Sequence, residues 1–356
     1  MPPERAPDDV EPGDLAEVPR PREAFRLVGH AAAEAAFLSA LGAGRLHHAW
    51  LIGGPQGIGK ATLAYRVARW LLANPDLPAP GALPERLDVD PGHPAARKVA
   101  ALSHPNLVAL RRHRMPGAKT LPTRIPVDAA RRALDLFGAT AGNAGYRICI
   151  VDSAEDLNPN SANALLKMLE EPPPRSLFLI VSHAPGRLLP TIRSRCRALT
   201  LRPLSEGEVA AVVSGFPAPF RAPDAEALAR AASLAEGSVA RAVAMLDPVT
   251  LRLVGEVEAL LARLDAPDWR RILALAETLS AREADALFEA SLDTVFRFAS
   301  AELDRRRAEP PARLAALVEV CDKLARAARE AATYNLDRRP LVLSLFGDLA
   351  GAVRAA

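Results

Sequence analysis

One run of residues constrains this chain more than any other: Gly54-Pro55-Gln56-Gly57-Ile58-Gly59-Lys60-Ala61. Glycine, four residues, then glycine and lysine is the spelling of a phosphate-binding loop. Its backbone N–H groups and the start of the next helix cradle phosphate oxygens, and the lysine adds charge. A Ser or Thr after the lysine normally holds Mg²⁺; Ala61 has no hydroxyl for that task. Thr62 is one helical step further on, about 100° around the axis, and is a poor substitute. The context fits the loop. Residues 49–52 read as a short buried strand, and Leu63, Val67 and Leu71, with Ala64 and Ala68, make one helical face. The spelling predicts the frame of a nucleotide-binding α/β domain without its first metal ligand.

Size and composition bound the rest. At 356 residues the chain has room for two or three domains. A 49% hydrophobic and 24% charged composition is that of a globular protein, and no apolar run reaches membrane-spanning length. Residues 1–20 are rich in Pro and acids without a hydrophobic segment, which predicts a disordered tail rather than a signal peptide. Cys149, Cys196 and Cys321 are far apart and form no CxxC pair. That excludes a disulfide scaffold and a cysteine zinc site, and predicts a reducing, cytoplasmic setting. Net charge is only +3, yet Arg97, Lys98, Arg111, Arg112, Arg114, Lys119 and Arg124 occur with no acid between them. Such a patch suits a phosphate backbone or an acidic partner, or is a solvated loop balanced in space. No aromatics are interleaved, so base stacking has no support.

Along the chain we expect four parts: a tail over 1–22, an α/β domain over 23–204, a small helical lid over 205–248 and an all-helical domain over 249–356. Strand candidates at 50–52, 107–110, 147–151, 177–181 and 198–201 alternate with helical patterns, which argues for a mainly parallel sheet covered on both faces. The prolines between 72 and 105 read as a long surface insertion. Ser205 and Glu208 form a capping box, and a further helix is expected over 225–234. In the last domain Leu314, Leu317, Cys321, Leu324 and Ala328 share one helical face, and Phe288, Leu292, Val295 and Ala299 share another.

Two further motifs carry chemistry. Arg147-Ile148-Cys149-Ile150-Val151-Asp152 is a hydrophobic strand ending in an aspartate, the second half of a nucleotide site, where the acid helps hold Mg²⁺. A glutamate directly after it would polarise water, but Ser153 stands there, with Glu155 and Asp156 past the strand end. Next, Ala162, Leu165, Leu166 and Leu169 give a helix an apolar face, and Pro172 and Pro173 stop it. Thr191-Ile192-Arg193-Ser194-Arg195-Cys196-Arg197 places three arginines on alternate positions, which share one face if the segment is extended.

The order and spelling of these motifs resemble the clamp-loader branch of the AAA+ ATPases: "NALLKMLEEPPP", then "SRC" in "LLPTIRSRCRALTLRPL". The resemblance covers nearly everything after the tail. It implies an α/β AAA+ P-loop domain followed by a helical lid and a helical collar for oligomerisation. It implies that Arg195 acts in trans on the γ-phosphate of ATP held by a neighbouring subunit, while Gly54, Gly57, Gly59, Lys60, Thr62 and Asp152 form a degenerate nucleotide site. Expected partners are motor subunits of the gamma/tau type, a delta subunit, the sliding clamp and primed DNA, with no membrane. Motor subunits carry Lys-Thr or Lys-Ser and Asp-Glu where this chain has Lys60-Ala61 and Asp152-Ser153. Their sensor-2 pattern, Gly-Ser-x-Arg, meets Ala240 in Gly237-Ser238-Val239-Ala240-Arg241. Their four-cysteine zinc module has no counterpart, so no zinc is expected. The expectation is a non-hydrolysing subunit that requires no cofactor and holds ATP or ADP weakly if at all. The alternative is an active motor-type ATPase in which Thr62 and Glu155 compensate; a P-loop kinase would leave Ser194-Arg195-Cys196 unexplained.

Overall fold

The computed structural model describes residues 18–77, 83–113, 122, 124–125, 127–138, 145–217, 220, 223–281, 284–308, 311–334 and 336–355. The chain folds into two compact units, Met1–Val243 and Ala244–Ala356. The first contains α1 (Ala31–Gly42), β1 (Ala49–Gly53), α2 (Lys60–Ala73), α3 (Pro94–Ala100), β2 (Leu107–Arg111), α4 (Val127–Gly138), β3 (Arg147–Asp152) and α5 (Pro159–Glu170). It continues with β4 (Ser176–Ser182), α6 (Pro190–Arg193), β5 (Arg197–Thr200), α7 (Glu206–Ser214) and α8 (Ala225–Leu234), and runs into α9 (Val239–Met245).

The five strands form one parallel sheet in the order β2-β3-β4-β1-β5. The apolar runs of β3 and β4 are continuous because both sheet faces are covered, and alternate residues feed opposite cores. Trp50, Ile52, Ile148, Ile150, Leu177, Leu179 and Val181 point into the core with α1 and α2. Leu51, Cys149, Val151, Phe178 and Ile180 point into the other, with α4 and α5. Each expected strand is present and longer by one or two residues, or shifted by one. The strands therefore run in one direction, and the turns after β1, β3 and β4 meet at one edge of the sheet, where ligands bind in open α/β sheets.

The proline-rich stretch after α2 departs from expectation. It is not a surface insertion throughout: α3 packs on α2, and Leu87, Ala95, Ala96 and Val99 are buried. Pro94 starts this helix at a position where a missing N–H costs nothing, and the His93 ring accepts from Ala95 N. A second feature is invisible in an apolar-periodicity reading. Arg66 and Arg69 on α2 are almost fully buried. Arg66 pairs with Glu34 at 2.8 Å and Asp88 at 2.7 Å, and donates to Phe25 O at 2.7 Å. Arg69 donates to the carbonyls of Arg22 and Ala24 and lies over the Phe25 ring. Two buried guanidiniums thus clamp the chain over 22–25, and Arg20 and Arg22 are themselves buried.

The second unit consists of α10 (Pro248–Leu261), α11 (Trp269–Leu279), α12 (Asp285–Arg305), α13 (Pro311–Tyr334) and α14 (Arg338–Ala355) around a core of its own. Phe288, Val295, Ala299, Leu317 and Leu324 are buried there, with Leu292 and Cys321 packed against them. Leu314 has no described side chain. Among the described residues, no helix is long and apolar enough to cross a membrane.

Candidate functional site

The phosphate loop follows β1 directly, with Gly54, Gly57 and Gly59 all at positive φ. Two of these glycines are required by contact as well. A Cβ on Gly54 would stand 2.5 Å from the Leu201 carbonyl oxygen. One on Gly57 would stand 2.2 Å from Ser238 Oγ and 2.9 Å from Ala240 Cβ. Gly57 O accepts from Val239 N at 2.9 Å, so the start of α9 sits directly on the loop. Within the described residues, the backbone N–H groups of Gly57 to Thr62 find no acceptor.

Lys60 opens α2 and is buried, with its ammonium donating to Pro55 O. Burial lowers its pKa to about 8, against the pull of Asp152 and Glu155. Asp152 ends β3, half-buried, beside Arg111 in the strand register. Ala61 and Thr62 are half-buried in the first turn of α2. The loop and β3 bring Gly57, Gly59, Lys60, Thr62 and Asp152 to one cleft of about 480 Å³. Gly54 is the turn that starts the loop and does not line that cleft.

The acids after β3 are committed elsewhere. Residues Ala154–Asp156 form a single 3₁₀ turn, and Glu155 Oε1 accepts from Ser182 Oγ at 2.5 Å and from Ala184 N at 2.6 Å. Burial tends to raise the Glu155 pKa, but these hydrogen bonds outweigh it and hold the carboxylate ionised. Asp156 pairs with Arg112 at 2.8 Å, and burial raises its pKa in spite of that partner. Ser153 Oγ lies 2.8 Å from His183 Nε2. The ring keeps part of its surface open to the cleft, yet desolvation first and Lys60 second lower its pKa to about 4. His183, like Arg111 and Arg112, is a cleft residue that sequence reasoning did not place there. Its signal was position alone, directly after the buried strand that neighbours β1.

Arg195 does not line this cleft. It lies in the turn after α6, half-buried, paired with Glu170 Oε1 at 2.9 Å and donating to Thr191 O at 3.0 Å. The alternate arginines do not share an extended face, because Pro190 starts α6 and Arg193 ends it. Arg197 begins β5 and lies over the Trp50 ring. Cys196 is half-buried, and burial pushes its thiol up to about 11. Ala240 lines the cleft, while Arg241, the next residue, is buried and does not. The basic run divides: Arg111 and Arg112 line the cleft, Arg97 donates to Gly92 O, and Arg114 and Lys119 lie outside the described residues. Among the described residues no group of His, Cys, Asp or Glu is placed to hold a metal ion.

A glycine loop with open donors, a lysine, a strand-end aspartate and a separate arginine after the "NALLKMLEEPPP" helix make a distinctive set. Residues 29–205 match the family model described as DNA polymerase III, delta subunit. The DNA polymerase III subunit delta' of Pseudomonas aeruginosa is 40% identical over 162 residues, 45% of this chain and 45% of that protein. Residues 29–205, just under half of the chain, thus resemble the delta-prime subunits of DNA polymerase III. The Escherichia coli delta-prime subunit is 35% identical over 165 residues, 46% of this chain and 45% of that protein. The gamma/tau subunit of Mycobacterium bovis is 32% identical over 178 residues, 49% of this chain and 28% of that protein. The match thus spans about 45% of the length of the delta-prime relatives. A solved gamma subunit-related protein of DNA polymerase III from Thermotoga maritima aligns with 88% of this chain and 99% of its own, at 16% identity and a TM-score of 0.36. In delta-prime terms, the α/β body carries the family match and both motifs.

Proposed function

We propose that this chain is a non-hydrolysing clamp-loader subunit of DNA polymerase III that supplies Arg195 in trans to the ATP of a neighbouring motor subunit. Its role is then in loading the sliding clamp onto primed DNA during replication, beside gamma/tau-type and delta subunits. The observation that carries the reading is the contrast between two sites. The chain's own cleft keeps Lys60 and Asp152 but has no hydroxyl at Ala61, no carboxylate at Ser153 and no arginine at Ala240. Glu155, the nearest acid that compensates in an active ATPase, has one oxygen occupied by Ser182 and Ala184. Arg195, by contrast, does not line that cleft, and its guanidinium is held by one exchangeable ion pair and one carbonyl.

The residues toward a nucleotide fit in part. The loop N–H groups and Lys60 would hold phosphate; the metal that normally accompanies it has only Asp152 of its usual protein ligands. Arg195 swinging from Glu170 onto a neighbour's γ-phosphate stabilises charge on the transferring group, and its planar fork grips two oxygens at once. Single-turnover hydrolysis by the isolated chain, compared with hydrolysis after reconstitution with motor subunits, tests the reading. No turnover alone and full turnover in the complex is expected. Turnover by the isolated chain that Lys60→Ala abolishes would favour an active ATPase instead.

A further inference from the structure

We infer that Glu170 is a positioning residue for Arg195: it parks the guanidinium in the unassembled chain and yields it to the γ-phosphate of a neighbour's ATP. This inference rests on the trans-arginine reading and adds to it the contact that has to break. Glu170 is the last residue of α5 and Glu171 follows it, so two carboxylates stand at the negative end of a helix. The helix dipole favours cations there, not acids. Arg195 supplies the cation, with Nη2 2.9 Å from Glu170 Oε1. Its other terminal nitrogen, Nη1, donates to Thr191 O at 3.0 Å, which folds the side chain back over α6. Both terminal nitrogens thus spend a donor inward.

A carboxylate and a γ-phosphate are like charges that compete for one planar fork, and a guanidinium neutralised by Glu170 offers the transferring group little net charge. Arg195 therefore has to leave Glu170 to act, and its surroundings survive the departure. The two side chains are 35% and 49% exposed, so water takes up each partner when they part. Thr191 O keeps Ser194 Oγ as a donor at 3.2 Å. The backbone of the turn is fixed independently of the side chain: Ser194 N and Arg195 N donate to Pro190 O and Ile192 O, and Ile192 is buried. Arg66 and Glu34 are the opposite case. Their side chains are 2% and 4% exposed, and parting them would strand a buried charge. Of these two pairs, that of Arg195 is the one that can be exchanged without orphaning a polar group.

Glu170→Gln keeps the size and removes the charge, and it tests the latch in the complex reconstituted with motor subunits. With primed DNA present, kcat/KM for ATP is expected to rise about two- to fivefold, the range of a half-exposed ion pair. The ratio of variant to parent should fall toward one as salt is raised from about 0.05 to about 0.5 M, because surface pairs are screened. In an Arg195→Ala background the same substitution is expected to change nothing, and the urea midpoint of the isolated chain should stay where it is. A fall in kcat/KM would mean that Glu170 holds Arg195 in its working pose, and would overturn the proposal. So would an unchanged value, or a rise that persists without Arg195. Arg195→Ala alone separates the two readings. If it lowers turnover while Glu170→Gln raises nothing, the latch fails and the trans arginine stands; if it leaves turnover unchanged, both fail.

Discussion

Ser153 and His183 form a pair that neither residue announces in the sequence. The serine hydroxyl and the ring nitrogen lie 2.8 Å apart at the cleft. A Ser-His contact is the start of a nucleophilic site only where an acid orients the ring's far nitrogen. Here Glu155 spends one oxygen on Ser182 and Ala184, and no hydrogen bond from it to the ring is present among the described residues. The surroundings of His183, desolvation first and Lys60 second, leave a mark on stability. The His183 imidazole is lowered to about 4 from about 6.5 in the unfolded chain. Between those values the unfolded chain binds more protons, so stability falls as pH drops from about 6.5 toward 4. His183→Gln should flatten that limb, measured as the urea midpoint at pH 7, 5.5 and 4.5 beside the parent chain. An unchanged slope would contradict the assignment. At this scale the sequence was partly legible. Lys60, Ala61 and Asp152 could be placed from their motifs, because loop and strand spacing fixes them. His183, Arg111 and Arg112 could not, since they reach the cleft only through strand order.

The elements were more legible than the residues, for a physical reason. Strands buried on both faces spell continuous apolar runs, and 147–151 and 177–181 could belong to little else. α5 shows both a readable stop and a hidden start. Its end was marked by Pro172 and Pro173, whereas its first turn begins at Pro159 because Asn158 Oδ1 accepts from Ser161 N at 2.8 Å. Asn158 also donates to Ile125 O at 3.3 Å, joining the cap to the neighbouring segment. Asn158→Ala is expected to cost about 1 kcal/mol, read as a lower urea midpoint with unchanged slope. No loss would mean that the Pro159 start suffices without the cap. α3 was missed because its prolines look like loop composition, while its burial depends on α2 lying against it. Arg66 and Arg69 were missed because a charged residue on a buried face contradicts periodicity. Their partners are the carbonyls of Arg22, Ala24 and Phe25 and two acids, which only the fold brings to α2.

For the whole molecule, the two compact units have separate cores, one pair flanking the sheet and one among α10 to α14. A fragment of residues 244–356 is therefore expected to fold by itself, with a helical spectrum and a cooperative thermal transition. A spectrum without helix or a transition without cooperativity would contradict an independent unit. Such a fragment should also compete with the full chain for assembly with motor subunits if it serves as the collar. The family implied that role; periodicity alone left free-standing bundle and collar equally open, because both bury one stripe per helix. Under the proposed trans-arginine role, a chain with no hydroxyl at Ala61, no carboxylate at Ser153 and no arginine at Ala240 is accounted for at this largest scale, as one that shares catalytic parts with a neighbour. The most direct test is DNA-stimulated ATP turnover by the reconstituted complex carrying Arg195→Ala. Turnover is expected to fall at least about tenfold while the complex remains assembled by gel filtration. Unchanged turnover in an intact complex would contradict a trans arginine at this position.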